Sequence, residues 1–119
     1  MTPTVLYYAK CSTCQKALKW LEAKGIAYEG RPIKEKNPGV DELRSWQEKS
    51  GLPLKRFFNT SGLLYKEMGL KDKLPDMSEE EQLALLATDG MLVKRPLLVS
   101  DKGVFPGFKE SAWEEILAK

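Results

Sequence analysis

The 119-residue chain contains no histidine and only two cysteines. The first absence excludes imidazole as a general base and removes every histidine-dependent metal site. The second leaves no cysteine framework of the kind that staples small secreted domains. Long apolar runs are also missing, and none approaches the roughly 20 residues of a membrane span. Met1–Tyr8 shows no basic stretch followed by an apolar one, so a cytoplasmic protein without membrane association is expected. Net charge is only +2, too small to argue for direct nucleic-acid binding. No repeat, low-complexity tract or linker interrupts the chain.

What is present suffices for one domain. An apolar content of 42% over 119 residues supports a single hydrophobic core without a metal or disulfide staple. A monomer is expected. Thr4-Val-Leu-Tyr-Tyr8 reads as a short buried strand, β-branched and aromatic. A helix is expected from Ser12 to Lys24, because Cys14, Ala17, Leu18 and Leu21 share one helical face. Gly25 is suited to end it in a left-handed conformation. A second strand fits Ala27–Ile33. Val40, Leu43 and Trp46 recur at helical spacing until Gly51, and a short helix could run from Pro53 through Phe58. Asn59–Gly62 is a loop, Leu63–Met68 a turn or two of helix stopped by Gly69, and Lys71-Asp-Lys73 a solvated loop. Ser78-Glu-Glu-Glu81 reads as a capping box that opens a helix to about Thr88, closed by Asp89-Gly90. Leu97–Val99 and Val104–Phe105 flank the hairpin signal Asp101-Lys-Gly103, and a last helix starts near Glu110 with Trp113, Ile116 and Leu117 on one face.

This order predicts an α/β fold. A βαβ unit with parallel strands and a ββα unit with an antiparallel pair would form a mixed four-stranded sheet with helices on both faces. Residues 1–35 and 92–119 would make the core of the domain, and about 36–91 a helical insertion.

The two cysteines sit three apart, as Cys11-Ser-Thr-Cys14, between the first strand and the first helix. A disulfide closing so small a loop stabilises little in the chain-entropy view, so the pair has a poor structural reason to exist. The thiolate is the reactive form of cysteine. The first amides of a helix lack internal partners, and the helix dipole adds about half a positive charge there. Both favour a thiolate at Cys11, and Lys10 and Lys16 add positive charge nearby. Cys14 opens the apolar stripe and should be sheltered. An exposed attacking thiol with a sheltered resolving thiol is what dithiol chemistry requires. Two other readings remain at this point. The pair could be half of a zinc site shared between two copies, although the chain itself has no second pair of ligands. It could also be two incidental core cysteines.

In Lys94-Arg95-Pro96 the residue before proline is biased to extended geometry. One reading is a plain strand start with an exposed arginine. The other is a cis proline against the cysteines, with Arg95 offering its guanidinium to an anion or to the Cys11 thiolate. Trp20, Trp46 and Trp113 are expected to serve packing. Of Tyr7 and Tyr8, one should face the core by alternation and the other could line the Cys11 groove.

Tyr-Ala-Lys-Cys-Ser-Thr-Cys14 resembles the arsenate reductase ArsC / Spx family. So do Tyr65-Lys-Glu-Met-Gly-Leu70, Asp89-Gly90, Lys94-Arg-Pro96 and Gly107-Phe-Lys-Glu110. The resemblance runs the length of the chain. It implies a thioredoxin-like (glutaredoxin-like) fold with a helical insertion, a cis proline at Pro96, and Arg95 near Cys11. Glutaredoxin-coupled arsenate reductases of this family use one cysteine with three arginines. Cys11 and Arg95 match, but the middle arginine falls near Asn59 and the last near Phe108 or Lys109. Two of the three are therefore missing, which argues against arsenate and for disulfide substrates. The Spx branch is a redox-sensing regulator that binds the RNA polymerase α C-terminal domain.

The expected function is a thiol–disulfide oxidoreductase. Cys11 is the nucleophile, Cys14 the resolving thiol and Arg95 a further catalytic group. Lys10, Ser12, Thr13, Asn59 and Pro96 are expected to bind an oxidised thiol or small-molecule substrate. No metal and no tightly bound cofactor are expected, and glutathione or a glutaredoxin/thioredoxin system would be the reductant. The alternative is an Spx-like regulator.

Overall fold

The structure is a computed structural model that describes residues 2–118. In chain order the elements are β1 (Thr4–Tyr7), α1 (Ser12–Ala23), β2 (Glu29–Pro32), α2 (Val40–Ser50), α3 (Leu63–Glu67), α4 (Leu70–Lys73), α5 (Glu79–Leu86), β3 (Leu97–Ser100), β4 (Gly103–Pro106) and α6 (Glu110–Ala118). Short 3-10 turns cover Leu54–Phe57, Leu74–Asp76 and Gly90–Leu92. Two compact units emerge. One runs to Ile33 and resumes at Arg95; the other is Lys34–Lys94.

The first unit holds a mixed four-stranded sheet in the order β2-β1-β3-β4. β1 and β2 are parallel, as a helical crossover requires. β1 pairs antiparallel with β3, and β3 with β4. Alternation along the strands sends Val5 and Leu98 to one face, where they form a fully buried cluster with Ala17 and Leu21 of α1 and Trp113 of α6. The Trp113 indole N–H, which needs a partner once buried, donates to the Gly107 carbonyl at 2.9 Å. Leu6 and Leu97 pair across β1 and β3 with their side chains on the opposite face, and both are fully buried, so neither face of the central strands is open. Gly25 ends α1 in the left-handed region at φ 69°.

The second unit is a succession of short helices around Leu43, Phe57, Phe58, Leu70, Leu86 and Leu92, all essentially buried. Ser78 and Glu81 close the capping box that opens α5: the Glu81 N–H donates to Ser78 Oγ at 3.1 Å, and the Ser78 N–H to Glu81 Oε1 at 2.9 Å. Arg44 on α2 reaches Asp41 on its own helix at 2.9 Å and Glu80 on α5 at 2.6 Å. Phe58 pairs with Val93 in an antiparallel bridge, flanked by Asn59 N–H to Leu92 O and Lys94 N–H to Phe57 O, both 2.8 Å.

Two local expectations are corrected. β2 is Glu29–Pro32 and not Ala27–Ile33. It is an edge strand that pairs on one side only, which is where a proline and a glycine are tolerated. Lys71-Asp72-Lys73 is exposed but helical, as part of α4. Gly69, at φ 63°, ends α3 in a left-handed residue, and the chain restarts at once because Leu70 and Leu74 are buried one turn apart.

Candidate functional site

β1 delivers the chain to the head of α1, and Cys11 is the N-cap residue, with extended backbone (φ −88°, ψ 118°). A cap residue presents its side chain to the unpaired amides of the first turn. Here the Cys14 N–H donates to Cys11 Sγ at 3.4 Å. The loop between strand and helix is held from both sides. The Cys11 N–H donates to Tyr8 O at 3.0 Å, and the Gln15 side-chain amide donates to Ala9 O at 2.8 Å. Cys11 is half-buried, while Lys10, Ser12 and Thr13 around it are exposed.

Cys14 differs in every respect. It faces the core from the first turn of α1 and is only 1% exposed. Burial pushes its thiol above the ordinary value, to about 12, and the hydrogen bond to Cys11 acts in the same direction. The Tyr8 N–H, 3.5 Å from Cys14 Sγ, and the positive charge of Arg95 pull the other way without prevailing. Both cysteines are free thiols in this structure.

The Arg95-Pro96 peptide bond is cis. Pro96 is buried, and its carbonyl accepts from the Gly107 N–H at 2.8 Å, which ties it to the end of β4. The Arg95 guanidinium lies over the Tyr8 ring at 5.2 Å, a cation–π contact. Its Nε is a buried donor without a hydrogen-bond acceptor, although the side chain has other interactions. Tyr8, Cys11, Cys14 and Arg95 thus form one connected group. Asn59 belongs to the Lys34–Lys94 unit, where its backbone bonds Leu92 and its Oδ1 accepts from the Ser61 hydroxyl at 3.5 Å.

Two participants are not singled out by the sequence: Tyr8 is left open as one of two tyrosines, and Gln15 is not expected. Tyr8 contributes both its ring and its amide. Alternation alone could have chosen it, because Tyr7 packs into the cluster of Val5 and Tyr8 does not. Gln15 had no such signal, since its task depends on the path of the preceding loop. Phe108, at one candidate position for the last arginine, stacks edge-on against Trp20 at 5.7 Å and Trp113 at 5.0 Å. Among the described residues no group of three or more acidic, cysteine or histidine side chains could hold a metal, and no helix is long and apolar enough to cross a membrane.

The chain is 54% identical to the Bacillus subtilis protein YusI over 115 residues, 97% of this chain and 98% of that one. Arsenate reductase of Neisseria meningitidis is 30% identical over 98 residues (82% of each chain), and global transcriptional regulator Spx 2 of Oceanobacillus iheyensis 26% over 114 residues (96% and 83%). The crystal structure of an "ArsC family related protein" from Bacteroides fragilis superposes with a TM-score of 0.95 at 56% identity, covering 98% of both chains. The sheet and helices described above are those of the ArsC thioredoxin-like fold. With the ArsC family profile matching residues 6–116, the chain belongs to the ArsC family.

Proposed function

We propose that the chain is a thiol–disulfide oxidoreductase. The observation that carries this reading is the inequality of two sulfurs one helical turn apart. Cys11 is accessible and receives an amide N–H, whereas Cys14 is buried and keeps its proton. In the forward reaction the Cys11 thiolate attacks one sulfur of a disulfide R–S–S–R. A Cys11–S–S–R bond forms and RS⁻ leaves. Cys14 then gives up its proton to the departing thiolate and attacks Cys11 Sγ, releasing the second R–S group. The substrate gains two electrons and the protein becomes the Cys11–Cys14 disulfide. Glutathione or a glutaredoxin/thioredoxin system returns the two electrons. Arg95 stabilises negative charge on sulfur, and Lys10, Ser12, Thr13 and Pro96 border the incoming chain.

Arsenate is disfavoured as substrate. A multiply charged oxyanion held by Arg95 without the other two arginines forgoes charged hydrogen bonds, each ~1.5–3 kcal/mol. Asn59 carries no charge, and Phe108 is engaged with two tryptophans.

Relatives named Spx, aligned over nearly the whole chain, support a second reading. In it the redox state of Cys11 and Cys14 governs binding to the RNA polymerase α C-terminal domain.

Mass spectrometry after adding glutathione disulfide to reduced protein tests the first reading. The wild type should lose two hydrogens without retaining an adduct. Cys14→Ser should accumulate one glutathione, and Cys11→Ser should stay unmodified. Modification of Cys11→Ser at the wild-type rate would overturn the assignment. Redox-dependent capture by the polymerase α C-terminal domain, with no disulfide turnover, would favour the regulator.

A further inference from the structure

Lys94 is the residue of the Lys94-Arg95-Pro96 segment that thiol chemistry leaves without a task. It lines a cleft of about 400 Å³ in the Lys34–Lys94 unit, together with Pro53, Lys55, Arg56, Phe58 and Thr60. Three of these six residues are cations and none is a carboxylate.

The backbone segments that carry the cations are fixed. Lys55 and Arg56 lie on the 3-10 turn Leu54–Phe57, which is pinned by the buried Leu54 and Phe57. Phe58 is bridged to Val93, and the Lys94 N–H bonds Phe57 O at 2.8 Å, so Lys94 is fixed across from that turn. Like charges gathered around a low-dielectric concavity raise the local potential and concentrate anions there. The chain as a whole carries only +2, so this local excess is not a by-product of a basic protein.

We propose that this cleft binds a small organic anion with at least two negative charges, borne by phosphoryl or carboxyl groups. Its volume falls in the ~300–1,000 Å³ range of small-molecule sites. Lys55 and Lys94 act as point charges towards the anion, and Arg56, whose side chain already has an interaction of its own, adds to the local potential. The Thr60 hydroxyl offers a hydrogen bond, and the exposed Pro53 gives an apolar surface for the ligand's carbon body. The site is independent of the cysteine chemistry.

Amide NMR of the reduced, full-length protein tests this, with pyrophosphate and citrate as probes and sodium chloride at matched ionic strength as control. At least one probe should give saturable shifts confined to residues 54–60 and 94, and the tighter of the two identifies phosphoryl or carboxyl chemistry. Lys55→Met and Lys94→Met each remove one exposed or half-exposed cation and should each weaken binding about fivefold. Raising the salt should weaken it further. Absence of saturable shifts, shifts reproduced by sodium chloride, or affinities unchanged in both variants would overturn the proposal. So would shifts seen only with a DNA duplex. Cys11→Ser should bind as the wild type does, so failure here and failure of the oxidoreductase reading are told apart.

Discussion

The four strands of the sheet unit are each four residues long, yet Val5, Leu6, Leu97 and Leu98 within them have no exposed surface at all. The Lys34–Lys94 unit is built differently. Two of its helices, α3 and α4, have only five and four residues, lengths at which a helix has no stability of its own. That unit has a buried core of its own and adds closures at its helix ends: a capping box at Ser78, left-handed glycines at Gly51 and Gly69, and an arginine shared between α2 and α5. The contrast teaches a division of labour. The sheet unit, held by strand pairing and burial, presents the two sulfurs in a fixed geometry, and the other unit combines burial with closures at the ends of short helices.

The largest effect should come from striking the burial directly. Trp113 is fully buried, clusters with residues of β1, β3 and α1, and satisfies a carbonyl with its N–H. Trp113→Ala should cost about 3–5 kcal/mol, read as a lower urea midpoint. Leu86→Ala, in the other unit, removes a smaller side chain that is equally buried and should cost about 2–5 kcal/mol. A loss for Leu86→Ala that exceeds that of Trp113→Ala would break the contrast.

The same contrast explains what the sequence could reveal. β1, α1 and the hairpin are encoded by local periodicity and turn residues, so spacing alone places Cys11 at a helix start. The capping box at Ser78 is equally legible, because both its partners lie within one turn. β2 is shorter than its sequence suggests, since Ala27 and Tyr28 look like strand residues while pairing depends on the neighbour. α4 reads as a loop because Lys71, Asp72 and Lys73 are all charged. The anchors that make them helical, Leu70 and Leu74, flank the segment. In the site, the choice of Tyr8 over Tyr7 follows from alternation along β1, whereas the clamp from Gln15 to Ala9 depends on the loop's path. The cis peptide before Pro96 is implied by family resemblance and has no local signal.

A sharper probe of the buried side is the pH dependence carried by Cys14. Its thiol in the folded protein titrates at about 12, against 9.0 for an unperturbed one. The folded value lies above the unfolded one, so folding favours the protonated form. The stabilisation is complete below about 9 and is lost as pH rises towards about 12. Cys14→Ala carries a constant cavity cost but lacks this titration. The stability difference between wild type and Cys14→Ala, from urea melts at several pH values, should therefore shrink as pH rises through that window. A difference that stays flat would mean the Cys14 thiol titrates as an exposed one does.

The smallest effect probes a single closure in the unit that adds them. Ser78→Ala removes the hydroxyl that accepts the Glu81 N–H and should cost about 1 kcal/mol. The reciprocal half of the box is a carboxylate, and the Ser78 N–H holds the Glu81 carboxyl below its ordinary value. A depressed carboxyl stabilises the fold above its unfolded value, 4.5, and that contribution is lost as pH falls through the folded one. Glu81→Gln should therefore be less stable than wild type at neutral pH, and the gap should narrow on acidification. Ser78→Ala should show an offset that narrows less over the same range, because its main loss is an uncharged hydrogen bond and its hydroxyl is only the second cause of the lowered Glu81 carboxyl. If both variants instead matched the wild type at neutral pH, α5 would owe its stability to Leu83 and Leu86, and burial without end closures would hold both units.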